Sequence, residues 1–309
     1  MMPARLHTPP HARTRALAPL RALVATAVLG MMLGACAKKG PQSVHPPRIP
    51  AAPPVADSVT VGLWHFDERG GTHCTDSSPF RNYGTAGPET RIEFGRYKSA
   101  RGFTATAQSF VYVPYNPIME SPRGFTVEAW VYLNDYSRYE LSGIAMRWTP
   151  TPNQQSWLLG VVGQKLSATT TTTPSPGTFN AEVVGIPSGR LIFAFSPELA
   201  AGTQSFASTS TFPLRRWVHV AASVDGEVVR IFIDGRLDVQ VAIANSIRRS
   251  DAPLVVGNVI DPRRLTDFAS DLRQDPNNLP LPWYALNGTV DELRLSNVAR
   301  QVFESADLR

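Results

Sequence analysis

From Val59 onward, short runs rich in Val, Ile, Phe, Tyr and Trp alternate with polar residues, and turn-forming dipeptides separate the runs. Period-two alternation places successive side chains on opposite faces of an extended strand. The pattern predicts strands over residues 60–66, 110–113, 125–133, 143–148, 157–162, 190–195, 217–224, 228–233, 238–244, 254–257 and 288–295. Helical periodicity is nearly absent and surfaces only weakly over residues 297–307. Many short strands punctuated by turns predict an all-β fold, a two-sheet antiparallel jelly-roll sandwich.

The clearest unit is RWVHVAASVDGEVVRIFIDGRL, residues 216–237. Asp225 and Gly226 suit the left-handed backbone of a tight hairpin turn, and Asp234 and Gly235 turn the chain again. On the first strand Val218, Val220, Ala222 and Val224 share a face; on the return Val229, Ile231 and Ile233 do. Trp64, Trp130 and Trp217 fall within apolar strand patterns and are expected in the core.

The N-terminus has a different texture. Arg5, Arg13, Arg15 and Arg21 form a basic segment without an acid, and an apolar run of 12 residues, Ala22 to Leu33, follows. That run is too short to span a bilayer but suits the apolar region of a secretory signal. Leu33, Gly34, Ala35 and Cys36 come next and resemble the lipobox of bacterial lipoproteins, which implies a mature chain that begins at a lipidated Cys36. Residues 1–35 are therefore expected to be a lipoprotein signal peptide. By the same resemblance, Ala37 after the cysteine favours the outer over the inner membrane. Residues 36–58 carry six prolines and read as an extended tether, and residues 59–309 as one domain.

Composition sharpens this picture. The chain of 309 residues is 43% hydrophobic and 18% charged, which is globular rather than disordered. Its net charge of +5 falls to +1 once the four signal arginines are removed, so no basic surface argues for nucleic acid. Two cysteines exclude a disulfide-stapled mini-protein and a Cys-rich zinc module; with Cys36 acylated, Cys74 reads as a buried small residue.

Five segments then resemble, in order, the LamG-like domains of the concanavalin A type. The first is LWHFDERGG from Leu63, and the second is the turn that opens with Asp76, Ser77, Ser78 and Pro79 and continues as FRNYGT. GFTVEAWVYL from Gly124, the 216–237 hairpin, and NGTVDELRLSNVAR from Asn287 complete the series. The resemblance covers residues 59–302 and implies the same two-sheet jelly roll. It also implies a rim site for one structural Ca²⁺, with Asp67, Asp76, Asn82 and Asp291 at the matching positions; a hard cation of this kind takes six to eight oxygens. The alternative for Asp76, Ser77 and Ser78 is a turn capped by side-chain bonds to the backbone.

Catalytic patterns are sparse. Glu128 stands alone on its strand, and Asp291 and Glu292 are adjacent, so a regular strand would point them to opposite faces. The three histidines of the domain, His65, His73 and His219, lack metal-site spacing, and neither a nucleophile elbow nor a phosphate loop occurs. Carbohydrate binding, by contrast, needs exposed aromatic planes beside a few polar groups. The loops offer Tyr136, Tyr139, Trp157, Trp283 and Tyr284 for that role, with Arg147 and Trp148 nearby in sequence. The expected function is a non-catalytic envelope lipoprotein that recognises a glycan or glycoconjugate. The alternatives are an adhesion module for an envelope protein and a glycoside hydrolase drawing its carboxylates from Glu128, Glu140 and the long loop over residues 258–286.

Overall fold

A computed structural model describes residues 52–106, 108–120, 124–138, 140–149, 153–164, 183, 185–259 and 284–303. The expectations for the signal segment, for Cys36, and for Tyr139 and Trp283 lie outside the described residues.

The first half of the domain holds β1 (Thr60–Trp64), β2 (His73–Cys74), β3 (Gly84–Ala86), β4 (Arg91–Phe94), β5 (Ser99–Thr104), β6 (Val111–Val113), β7 (Phe125–Leu133) and β8 (Leu141–Trp148). The second half holds β9 (Gln155–Val162), β10 (Arg190–Phe195), β11 (Gln204–Thr211), β12 (Trp217–Val224), β13 (Val228–Ile233), β14 (Arg236–Ala242), β15 (Leu254–Val256) and β16 (Asn287–Ser296). Among the described residues there is no α-helix; a 3₁₀ turn spans Pro117–Met119. No helix forms over 297–303, where the weak periodicity had suggested one.

The strands form two antiparallel sheets. The first runs β14-β13-β12-β7-β16-β5-β4, with β1 also paired to β16; the second runs β11-β10-β9-β8-β15-β6-β3-β2. The alternation predicted for β12 and β13 holds: Val218, Val220, Ala222, Val229 and Ile231 all point into the core between the sheets. The second sheet departs from simple alternation. Leu159 and Val161 of β9 face the inter-sheet core, while Leu158 and Val162 join Met146, Trp148, Ile192 and Val255 in a second apolar cluster. Near-continuous apolar runs such as WLLGVV are what a strand buried on both faces requires.

Five strands escaped the sequence pattern. β4 and β11 are exposed edge or near-edge strands, and β2 and β3 are too short for a period to register. β5 conceals itself because Arg101 points into the interior, where its guanidinium reaches the Cys74 sulfur at 3.6 Å and the Gly71 carbonyl at 3.4 Å. Cys74 is indeed buried, and burial pushes its thiol up to about 11.

Both chain ends of the domain meet at one end of the first sheet. Arg300 grips both carboxylate oxygens of Asp57 at 2.7 Å, and Asn297 N donates to the Val59 carbonyl. Phe303 packs on Ala221 and Phe232 at the outer face of that sheet.

Candidate functional site

The outer face of the first sheet carries a groove of about 710 Å³. Its floor follows the strand register. Trp217 of β12 lies opposite Tyr132 of β7, Tyr132 opposite Thr289 of β16, Thr289 opposite Gly102 of β5, and Gly102 opposite Arg91 of β4. Residues directly opposite one another share a face, so these five side-chain positions form one row across five strands. The inward positions on either side of Trp217 and Tyr132 are filled by Val218, Val131 and Leu133, which fixes both aromatics on the outer side.

The row is high at its ends and low in the middle. Tyr132 and Trp217 meet edge to face with ring centroids 5.8 Å apart, and both stay partly exposed. Thr289 and Gly102 leave the centre shallow. A Cβ on Gly102 would lie 2.5 Å from Cγ of Glu93, so the glutamate stem lies across the strand in the space that glycine leaves. On the far side Arg91, Glu93 and Phe94 are exposed on the edge strand, Phe94 at 95%. Asn134 and Asn287, joined by a 3.1 Å amide hydrogen bond, flank the aromatic end. The result is a rigid floor with aromatic planes, amide groups, one cation and one carboxylate.

Beside the groove lies a more buried polar zone. Trp130, two positions before Tyr132 on β7 and on the same face, is covered by the Arg96 guanidinium at 4.7 Å from its ring. The register of β16 slips between Asp291 and Arg294, and Glu292 takes a left-handed backbone with φ 53°. This bulge overturns the expectation that the two adjacent carboxyls diverge: both are buried at the turn between β4 and β5. Asp291 accepts from Tyr97 N through Oδ2 at 3.0 Å, while Oδ1 has no partner. Burial pushes its carboxyl up to about 8, and the neighbouring Glu292 charge adds to the rise. Burial also raises Glu292, against the pull of His65, whose Nδ1 lies 2.5 Å away. Burial disfavours the charge on His65, but the Glu292 carboxylate outweighs it and lifts the imidazole.

Glu128 has a different fate. It is fully enclosed, with Oε1 accepting from Arg294 at 2.7 Å and Oε2 3.1 Å from His219 Nε2. Burial opposes its charge, yet His219 and Arg294 together hold it below the usual carboxylate range. These contacts commit Glu128 to an internal ion-pair network, away from the groove lining.

The residues expected to hold calcium do not gather into one site. Asp76 Oδ1 accepts from Leu63 N and Ser78 N, and Oδ2 from Ser78 Oγ and Asn82 N, all between 2.7 and 2.8 Å. Every lone pair of that carboxylate faces a donor. Asn82 Oδ1 accepts from Asn116, and its amide donates to the Val61 carbonyl. Asp67 pairs with Lys98 at 2.8 Å and accepts from Ser99 N, near Asp291 but apart from that turn. Asp76 and Asn82 thus make the contacts of the capped-turn alternative, and no group of three or more His, Cys, Asp and Glu that could hold a metal ion occurs among the described residues.

The loop aromatics also fall differently. Trp157 is 1% exposed and packs on Phe125 with centroids 4.8 Å apart, because it lies within a strand, β9, whose two faces are both covered. Tyr284 is buried in the second apolar cluster, together with Trp148. Tyr136 is half-buried and donates its hydroxyl to the Phe212 carbonyl. Arg147 is enclosed as well, donating to the carbonyls of Met119, Ser250 and Ala252 and pairing with Glu120. Trp157 and Tyr284 therefore offer no face to a ligand.

Comparison with known proteins bears on this architecture. A family model described as the concanavalin A-like lectin/glucanases superfamily (Laminin_G_3) matches residues 105–304. The chain belongs to that superfamily. No curated protein matches it. Among solved structures, similarity extends to the binding domain of paraclostridial mosquitocidal protein 1, with a TM-score of 0.51 and 11% identity over 78% of this chain and 49% of that one. Botulinum neurotoxin type C, which depends on two ganglioside molecules for cell entry, gives 0.51 and 11% over 78% and 48%. The binding domain of neurotoxin DC, in complex with rat synaptotagmin II, gives 0.50 and 11% over 78% and 49%. The chain spans about half the length of these neighbours. At such identities the likeness is one of fold.

Sequence reasoning placed Trp217 in the core, and the structure corrects this. The signal was present: Val218, Val220, Ala222 and Val224 define the inward face of β12, so Trp217 belongs to the opposite one. The same alternation in FTVEAWVYL turns Tyr132 outward. Trp64 and Trp130 are buried as expected, Trp130 on the outer face beneath Arg96.

Proposed function

We propose that this protein is a non-catalytic glycan-binding module, held at the cell envelope through a lipidated Cys36, and that the groove on the first sheet is its glycan site. The carrying observation is the Tyr132–Trp217 pair, partly exposed on two paired strands beside Asn134, Asn287, Arg91 and Glu93. Sugar faces are apolar and stack on aromatic planes, while their hydroxyls pair with amides, guanidinium and carboxylate. Glu93 is the single carboxylate among the groove-lining residues, whereas glycoside hydrolysis uses two across a cleft. That supports binding over turnover. The fold itself serves both ganglioside-dependent and synaptotagmin-bound toxins, so the groove chemistry is what favours a glycan here.

Glycan-array screening followed by calorimetry tests the reading. Trp217→Ala is expected to lower affinity by roughly tenfold or more, the loss of a stacking plane, with an unchanged circular dichroism spectrum. A folded variant that binds as the parent does would sink the assignment. The second reading, an extended protein partner, draws on Phe94, fully exposed on an edge strand open to augmentation. Binding that depends on Phe94 and not on Trp217 or Tyr132 would favour it.

A further inference from the structure

This inference rests on the glycan reading and concerns the shape of ligand the groove takes. The floor row crosses five strands, from Trp217 through Tyr132, Thr289 and Gly102 to Arg91. With neighbouring strands about 4.8 Å apart, the row is about 19 Å long. Neither end is closed by the sheet. β4 is the edge strand beyond Arg91. At the other end the ladder of β13 with β12 stops at Val220, and the turn residue Asp234 carries the contact only as far as His219, two residues short of Trp217. A site for one terminal sugar would need walls at both ends of a single ring; this floor is long, low at Thr289, crossed at Gly102 only by the flexible Glu93 side chain, and open at either end.

Charge narrows the ligand further. Arg91 and Glu93 lie two positions apart on one strand and share a face, and neither has an ion-pair partner among the described residues. A polyanion that reached Arg91 would meet Glu93 as well. Neutral units, by contrast, can accept from the guanidinium and donate to the carboxylate.

We propose that the groove binds an internal stretch of a linear, uncharged glycan, about four sugar units laid across the strands, since each unit advances by about one strand spacing. The aromatic end stacks one or two units, and the Arg91–Glu93 end hydrogen-bonds the unit farthest from them.

The test uses the full chain and calorimetry with neutral oligosaccharides of one to six units from the gluco-, manno- and arabino-series. Affinity is expected to rise about tenfold per added unit to about four units and then level off, in line with one stacking or hydrogen-bonding contact per unit. Arg91→Ala should bring the tetramer down to the trimer and leave the dimer unchanged, whereas Trp217→Ala should weaken every length. Thr289→Trp, which fills the floor, should abolish tetramer binding while the thermal melt stays cooperative. Trp217-dependent binding of a monosaccharide as tight as the tetramer would overturn this inference and leave the glycan reading standing. So would tighter binding of oligogalacturonate than of any neutral chain. Failure of every oligosaccharide to bind would overturn both.

Discussion

Asp291 and Glu128 show how two buried carboxylates on neighbouring strands come to opposite ends. Asp291 lacks a cation, so burial holds it protonated up to about pH 8, well above its unfolded value of 3.8. A raised acid keeps its proton in the native state where the unfolded chain has lost it. The stability it contributes is full below pH 3.8 and is lost as pH rises toward 8, by up to about 1.4 kcal/mol per pH unit. His65 is also raised and loses its contribution as pH climbs through its folded value, and Glu292, raised by burial, acts in the same direction. Asp291→Asn keeps the acceptor for Tyr97 N and removes the charge; its melting temperature should exceed that of the parent at pH 8 and vary less between pH 5 and 9. A parent whose stability climbs across that window would refute this account. Glu128 is held below its usual range by His219 and Arg294, so its contribution is present above about pH 4.5 and fades in acid. Glu128→Ala leaves Arg294 enclosed without a counter-charge and should cost about 3–5 kcal/mol in urea unfolding at pH 7. Neither behaviour could be read from the sequence, where Asp-Glu looks like an ordinary strand pair; the bulge at Glu292 depends on a register slip that no local pattern announces.

At the level of elements, what was legible follows from burial. Strands with one clean apolar face, β7, β12 and β13, declare themselves by period two, and continuous runs such as β9 and β10 declare themselves by length. Edge strands carry little apolar pattern because solvent takes one or both faces, and β4 was lost for that reason along with the far wall of the groove. The aromatic wall was recoverable, since the inward valines of β12 already say where Trp217 points. The opening turn was read correctly as to residues and ambiguously as to role. Asp76 organises it by accepting four hydrogen bonds, so Asp76→Ala should strand two or three buried donors and cost about 3 kcal/mol or more. Denaturant unfolding measures this, and Asp76→Asn should recover only part of the loss, since one oxygen becomes a donor facing donors.

On the scale of the whole molecule, the expected anchor and the groove are addressed separately. Cys36→Ser should move the protein from the membrane to the soluble fraction of lysed cells without altering oligosaccharide binding by the purified protein; a variant that stays in the membrane fraction would remove the lipid anchor from the proposal. The chain enters the domain where Asp57, Val59, Asn297 and Arg300 are tied together, beside the Thr126 end of β7, and the groove lies at the Tyr132 end. With the proposed anchor at Cys36 and the proposed ligand in the groove, a pull between the two would load β7 and β16 lengthwise. Tension along paired strands must break their hydrogen bonds together, in shear, whereas tension across a sheet would unzip them one at a time. Under that proposal the strands would meet such a tug in shear, the direction in which their hydrogen bonds share the load.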